Sequence, residues 1–386
     1  MKYPIFSLLI ISGLILLGGC EKGSLDPAGS TLIEARGNVP GPAGQLSVMT
    51  QNVYVGADVD RILTNPPEQI PVVAAELFQQ LQVTNFPERA DAMALQIRKL
   101  HPHLIGLQEI STIRTQIPGD YLENHAVDAG DVMYDYLGIL MDALNRQGLS
   151  YGVAALVQNA DVEVPMIVGM SDEGPEFGDV RLTDYEVILA RTDVIVSNAL
   201  AANYEYAIDL PESGIHIPRG YVAVDAEWHG QTYRFVSTHL EDPSGNPDLV
   251  DLQLAQANEL TTLLADETQP LIIVGDFNSP APDGLAYNFM VSAGYQDAWI
   301  LNHIVSEEPG YTFGHEPDLM DPAGGFTERI DFVFLKNGDN PVSGPVIAQV
   351  IGVDNNDRTV NGLWPSDHGG LYTRLPLPPF FQVDKP

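Results

Sequence analysis

The sequence predicts one large α/β domain, and three observations predict it. The chain has 386 residues, 45% of them hydrophobic, enough for a single large core. Short apolar runs of strand character alternate with stretches of helical period. Several strand-like runs end on a polar residue: Asn52, Glu109, His239 and Asp276. Polar groups delivered from the ends of many strands to one rim make a site, not a core. The chain carries no internal repeat.

The elements follow in order. Residues 46–53 read as a strand that ends in Asn52. Residues 87–100 read as a helix, because Ala90, Met93, Ala94 and Ile97 recur at helical spacing and Pro87 suits a first turn. Residues 104–107 form a buried strand that delivers Glu109. Further strands are expected at 151–157 and 186–190. Across 221–228, Val222, Val224, Ala226 and Trp228 alternate with Asp225 and Glu227, and 232–238 returns as the second arm of a hairpin. That arm delivers His239. Residues 251–265 read as a helix with Leu252, Ala255, Leu260, Leu263 and Leu264 as its stripe. Strands are expected at 271–274, 331–335 and 370–373. The Leu375-Pro376-Leu377-Pro378-Pro379 run cannot continue a sheet. Two polar, acidic segments, 111–131 and 165–183, read as long loops around the rim, and long loops in a compact domain are more often functional than idle.

The N-terminus reads as a targeting segment. Lys2 precedes an apolar run over 5–17, too short to span a bilayer comfortably, and Leu17-Gly18-Gly19-Cys20 closes it. This resembles a bacterial lipoprotein signal, with Cys20 as the lipidated residue. The expected organisation is a signal peptide at 1–19, a flexible tether at 20–45, a catalytic domain at 46–378 and a tail at 379–386. The expected location is the cell envelope outside the cytoplasm, or the extracellular space. Glu21 after the cysteine, where some bacteria read retention from Asp, favours the outer membrane. Cys20 is the only cysteine, so no intramolecular disulfide forms. The formal charge of −34 disfavours a broad, non-specific grip on nucleic acid. A bound divalent cation can still reverse the local sign.

Phosphoester hydrolysis needs a cation at the phosphate, a base for water and support for the leaving oxygen. Asn52, Glu109, Asp276 and Asn278 offer the oxygen ligands that hard cations prefer. His239 and His368 exchange protons near neutral pH, and Asp331 is a plausible orienter for one of them. Asp58 and Asp60 read as loop carboxylates, and Asp354-Asn355-Asn356-Asp357 as a turn.

The ordered set Gln51-Asn52, Gln108-Glu109, Thr238-His239-Leu240, Gly275-Asp276-Phe277-Asn278, Arg329-Ile330-Asp331 and Ser366-Asp367-His368 resembles the endonuclease/exonuclease/phosphatase superfamily. That group includes deoxyribonuclease I, abasic-site endonucleases, neutral sphingomyelinases and inositol-polyphosphate phosphatases. The resemblance covers roughly residues 46–375. It implies an α/β (α+β) four-layer sandwich: two packed, mostly antiparallel β-sheets flanked by helices. It implies Mg²⁺-dependent phosphoester cleavage, with Mn²⁺ as a substitute. Glu109 is then the main metal ligand, with Asn52 near it and Asp367 in the outer shell. Asp276 and Asn278 hold the attacking water and a phosphate oxygen. His368, oriented by Asp331, is the base or a phosphate contact, and His239 contacts the phosphate or supports the leaving group. Asp184 is the expected partner of His239, with Glu186 as the fallback. The expected substrate is a small or lipid-derived phosphodiester at a membrane surface. An extracellular nuclease is the alternative, and an inactive binding protein on the same fold is the alternative of another class.

Overall fold

Strand alternation sorts apolar side chains to two faces of each sheet. The computed structural model describes residues 44–376 except 211–214, 244–245, 303–307, 323–324, 339–341 and 343. The expected signal peptide, Cys20, all but the last two residues of the tether, and the tail lie outside the described residues.

The first sheet contains β1 (Ser47–Asn52), β2 (Leu104–Gln108), β3 (Thr112–Gln116), β4 (Asp131–Asp135), β5 (Tyr151–Ser171), β6 (Gly174–Arg191), β15 (Ile347–Ile351) and β16 (Gly370–Arg374). Its order is β15-β16-β1-β2-β6-β3-β4, with β5 paired to β6. The second contains β7 (Ile195–Asn203), β10 (Gly220–Trp228), β11 (Gln231–His239), β12 (Leu271–Asp276), β13 (Gln296–Asp297) and β14 (Asp331–Lys336), in the order β13-β14-β12-β11-β10-β7. A small ribbon joins β8 (Ile208–Leu210) to β9 (Ile215–Ile217). Among the described residues only β1–β2 and β11–β12 pair in parallel; the other strand pairs are antiparallel.

Those parallel pairs need crossovers, and helices supply them. Between β1 and β2 lie α1 (Arg61–Thr64), α2 (Ile70–Val83) and α3 (Phe86–Leu100); between β11 and β12 lies α5 (Pro247–Leu263). The remaining helices are α4 (Tyr136–Arg146) and α6 (Leu285–Ser292). Val48, Leu104 and Ile188 of the first sheet meet Val224, Phe235, Ile272, Val274 and Val333 of the second in the central core. Their neighbours Met49, Ile105, Val187 and Leu189 point the other way, against Ala90, Met93 and Ile97 of α3 and Leu140 of α4. On the far side Ile273, Phe332 and Phe334 pack against α5 and α6. The result is the expected four layers: helix, sheet, sheet, helix.

Several expectations change. Residues 165–183 are not a loop: they are the distal half of the long β5–β6 hairpin, whose turn lies at Asp172-Glu173. Residues 111–131 form β3, a connection and the start of β4. The helix expected at 251–265 begins at Pro247, where the Asn246 side chain accepts from the Asp248 N–H at 3.1 Å. Its buried face carries Gln253, Gln256, Ala257 and Leu260, while Leu263 is exposed. Asp354 to Asp357 is the expected turn, closed by a reciprocal capping box.

Candidate active site

Strand register alone gathers the site. β1 and β2 run in parallel with Asn52 opposite Gln108, so Asn52 and Glu109 emerge at the same rim. Across β11, β12 and β14, His239 pairs with Asp276 and Asp276 with Asp331, which sets the three side chains on one face. Asp367 and His368 arrive just before β16, the antiparallel partner of β1.

Asp276 is the centre. Its Oδ2 lies 3.6 Å from Nε2 of His239 and 3.6 Å from Nε2 of His368, and accepts from Asn52 Nδ2 at 3.1 Å. Nδ1 of His368 lies 2.9 Å from Asp331 Oδ2, so this imidazole spans two carboxylates. Asn278 donates its backbone N–H to Asp276 Oδ1 at 2.9 Å, and its Nδ2 lies 3.1 Å from His239 Nε2. Glu109 accepts from Asn52 Nδ2 at 2.9 Å and from the Val55 N–H at 2.8 Å. Tyr54, Glu109 and Asn278, near the ends of β1, β2 and β12, all have positive φ. Such backbone strain costs on the order of 1–3 kcal/mol per residue and gathers at functional sites.

Burial pushes the Asp276 carboxyl up to about 8, although His368 opposes this. Burial likewise pushes Asp367 up to about 7, again against His368, with Glu109 adding to the rise. The histidines diverge. Burial lowers the proton affinity of His368, but Asp331, Asp276 and Asp367 override it and leave it well above the ordinary range. Burial, Arg219 and His368 together hold His239 well below that range. One imidazole is thus cationic and one neutral near pH 7.

The residues fit a divalent cation. Burial away from water keeps protons on Asp276 and Asp367, and Asp331 Oδ1 is buried with no hydrogen-bond partner among the described residues. Asp276 and Asp331 gather carboxylate oxygens within 4.8 Å of each other and of His368, which as an imidazolium offers no ligand itself. Asn52, Glu109 and Asp367 add hard oxygen donors on the wall of the same cavity or in contact with it.

One expectation needs correcting. Asp184 is not the group at His239: it accepts from Ser111 Oγ at 3.4 Å and Asn159 Nδ2 at 3.1 Å. Glu186 Oε1 is the carboxylate 3.6 Å from His239 Nδ1. Two residues apart on β6, both share a face, and the packing of the sheets decides which one reaches the ring. Asp58 and Asp60 are exposed residues of the loop before α1 and line the cavity mouth.

Other residues carry no sequence signal. Arg219 Nη1 lies 3.2 Å from His239 Nδ1, while its other nitrogens bind Glu241 at 2.9 and 3.3 Å. Arg89 is fully buried under the rim and donates to the carbonyls of Val53, Tyr54, Thr84 and Pro365. It ties the strand end carrying Asn52 to the segment carrying His368. Gln253 donates to the carbonyls of Glu241, Phe277 and Asn278, fixing the loops beyond β11 and β12.

The sequence pattern of the Endonuclease/Exonuclease/phosphatase family matches residues 49–368. The chain belongs to that family. Its members hydrolyse phosphoesters, generally with a divalent metal, and this chain is a metal-dependent phosphoric ester hydrolase. Among solved structures it resembles a Bacteroides thetaiotaomicron mannosyl-6-phosphatase at 17% identity and TM-score 0.51, over 86% of this chain and 99% of that one. A Bacteroides thetaiotaomicron endonuclease/exonuclease/phosphatase family protein matches at 17% identity and TM-score 0.51, over 86% and 94%. A humanized D. rerio TDP2 matches at 17% identity and TM-score 0.49, over 86% and 100%. At this identity the likenesses bear on fold alone. No curated protein matches the sequence.

Proposed function

We propose that the protein is a Mg²⁺-dependent phosphodiesterase acting on a small or lipid-derived phosphodiester. We place it outside the cytoplasm, held at a membrane through a lipid on Cys20. The observation that carries the chemistry is Asp276 Oδ2, set 3.6 Å from each of two imidazoles of opposite charge preference. The acidic balance and the Leu17-Gly18-Gly19-Cys20 motif support the substrate class and the anchor.

Glu109, Asn52 and Asp367 would hold the Mg²⁺, which when bound would supply charge neutralisation at the phosphate and the leaving oxygen. The protein's own groups do the rest. Asp276 and Asn278 hold the attacking water, and Asp276, ionised once a cation offsets the charge of its neighbours, takes its proton. A new oxygen–phosphorus bond forms as the bond to the leaving alcohol breaks. His368, oriented by Asp331, sets an imidazolium against the phosphate oxygens. His239 supports the leaving oxygen from Nε2; that oxygen takes a proton from solvent, and Asp276 later releases its own.

A hydrolysis panel over lipid phosphodiesters, nucleic acids and phosphomonoesters, in Mg²⁺, Mn²⁺ and chelator, tests the reading. The expected result is metal-dependent cleavage strongest on a non-nucleic phosphodiester. Strongest cleavage of DNA, RNA or a monoester overturns it. For the anchor, Cys20→Ser is expected to release the protein from membranes or block its processing. An unmodified Cys20 thiol in the exported protein contradicts it.

A further inference from the structure

The carboxylates and imidazoles line only part of their cavity. The whole space measures about 750 Å³, a size that ordinarily accepts a drug-sized molecule rather than a phosphate alone. One stretch of the remaining wall is apolar and comes from α1, α2 and the β5–β6 hairpin, through Ile62, Leu77, Phe78, Val162, Val180 and Leu182, while Asp58, Asp60 and Arg61 keep another stretch polar. All but Leu77 are only partly buried, so apolar surface is left facing the cavity.

The strand period explains this wall. On β6 the face that buries Ile188 between the sheets continues through Glu186 and Asp184 at the site to Leu182 and Val180 beyond it. The intervening Arg181 pairs outward with Asp161 at 2.6 Å and with Asp128 at 3.1 Å. Charge is therefore sorted to the outer side of the hairpin and hydrocarbon to the cavity side. α2 packs on the same hairpin, Ala74 against Val164 and Met166, and adds Leu77 and Phe78 to the wall.

We infer that this apolar extension binds the hydrocarbon chain of an alkyl- or acyl-bearing phosphoester whose phosphate sits between His239 and His368. The inference rests on the phosphoesterase reading of the site and names the substrate class that it takes. The occupant follows from continuity, because one cavity holds both the side chains that would face the phosphate and the apolar wall. A nucleobase would find one ring to stack on, Phe78, but its polar edge would lose water without gaining partners on Ile62, Leu77, Val162, Val180 and Leu182.

Calorimetric titration of the protein in Mg²⁺ with methyl, butyl and octyl phosphate, and with thymidine 5′-monophosphate, tests this without turnover. A fully buried methylene adds about 0.8 kcal/mol, about fourfold in affinity. The expected result is an affinity at least about tenfold higher for octyl than for methyl phosphate, given partial burial. It should carry a negative heat-capacity change that grows with chain length. Phe78→Ala and Leu182→Gln, on different elements, are each expected to reduce the octyl-to-methyl ratio. Equal affinities along the series, a ratio unchanged in both variants, no binding of octyl phosphate, or tighter binding of the nucleotide overturns the inference. Failure of the phosphodiesterase reading is a separate result, because absent turnover in the hydrolysis panel leaves this binding series fully readable.

Discussion

His368 is held at both nitrogens by carboxylates, Asp331 at 2.9 Å and Asp276 at 3.6 Å; His239 also has carboxylates, Glu186 and Asp276, 3.6 Å from its two nitrogens, but Arg219 lies closer, 3.2 Å from its Nδ1. The same side chain therefore has opposite charge preference at two places around one carboxylate. Environments that push two like groups apart are how one site divides its acid–base work. General acid–base groups contribute about 10²–10⁴-fold, so His239→Ala and His368→Ala should each lower turnover by that order with Tm nearly unchanged. Asp331→Asn keeps volume but cannot hold an imidazolium. The double variant Asp331→Asn/His368→Ala is expected to be hardly slower than His368→Ala, because groups acting as a unit are not additive. Rate constants for the four proteins of that cycle check the prediction, and multiplicative losses contradict it.

The elements that carry these residues differ in how readable they are. β1, β2, β10, β11, β12, β14 and β16 all follow from apolar runs, and each is covered on both faces by sheet or helix. Their terminal polar residues were legible for the same reason: a polar group closing a buried run has no place in the core. The distal β5–β6 hairpin is less readable, because Gly169, Gly174 and Gly178 and a scatter of acids imitate a loop, while Val162, Val164, Val180 and Leu182 face α2 rather than the central core. α1, α2, α4 and α6 have no counterpart among the elements expected from the sequence. α5 hides part of its buried face behind glutamines, of which Gln253 bonds to loop carbonyls, so a count of apolar side chains finds Leu260 and Leu264 but misses Gln253 and Gln256. Arg89 and Arg219 act through backbone carbonyls and one carboxylate brought near only by folding. Close packing between the sheets is testable at Gly106, where a Cβ would lie 2.4 Å from Val274 Cγ2 and 2.6 Å from Ser237 Oγ. Gly106→Ala is expected to destabilise by about 1–3 kcal/mol by overpacking, measured by denaturant unfolding. An unchanged midpoint contradicts that close approach.

Across the whole molecule, 52 acidic residues stand against 18 basic ones, and at the site burial makes two carboxylates harder to ionise. Asp276 and Asp367, raised to about 8 and about 7, hold protons more tightly folded than unfolded. Their contribution to stability is complete below the unfolded carboxylate range near pH 4 and is lost as pH rises through 7 and 8. A cation that binds only the folded state offsets this loss. The Tm gained on adding Mg²⁺ is therefore expected to grow from pH 5 to pH 8, as thermal denaturation with and without the metal would record. A gain that shrinks over that range contradicts the assignment of these carboxylates to the metal's surroundings.

The most direct test of the central claim is the rate of bis(4-nitrophenyl) phosphate hydrolysis against Mg²⁺ concentration, for the wild-type protein and for Glu109→Gln. Glutamine keeps the shape of Glu109 and removes one negative ligand for a hard cation. The account predicts that wild-type activity disappears in excess chelator and returns with Mg²⁺. Glu109→Gln should lose most activity and need more Mg²⁺ for what remains, with its unfolding unchanged in chelator. Full wild-type activity in excess chelator, or a Glu109→Gln profile indistinguishable from wild type, would contradict it.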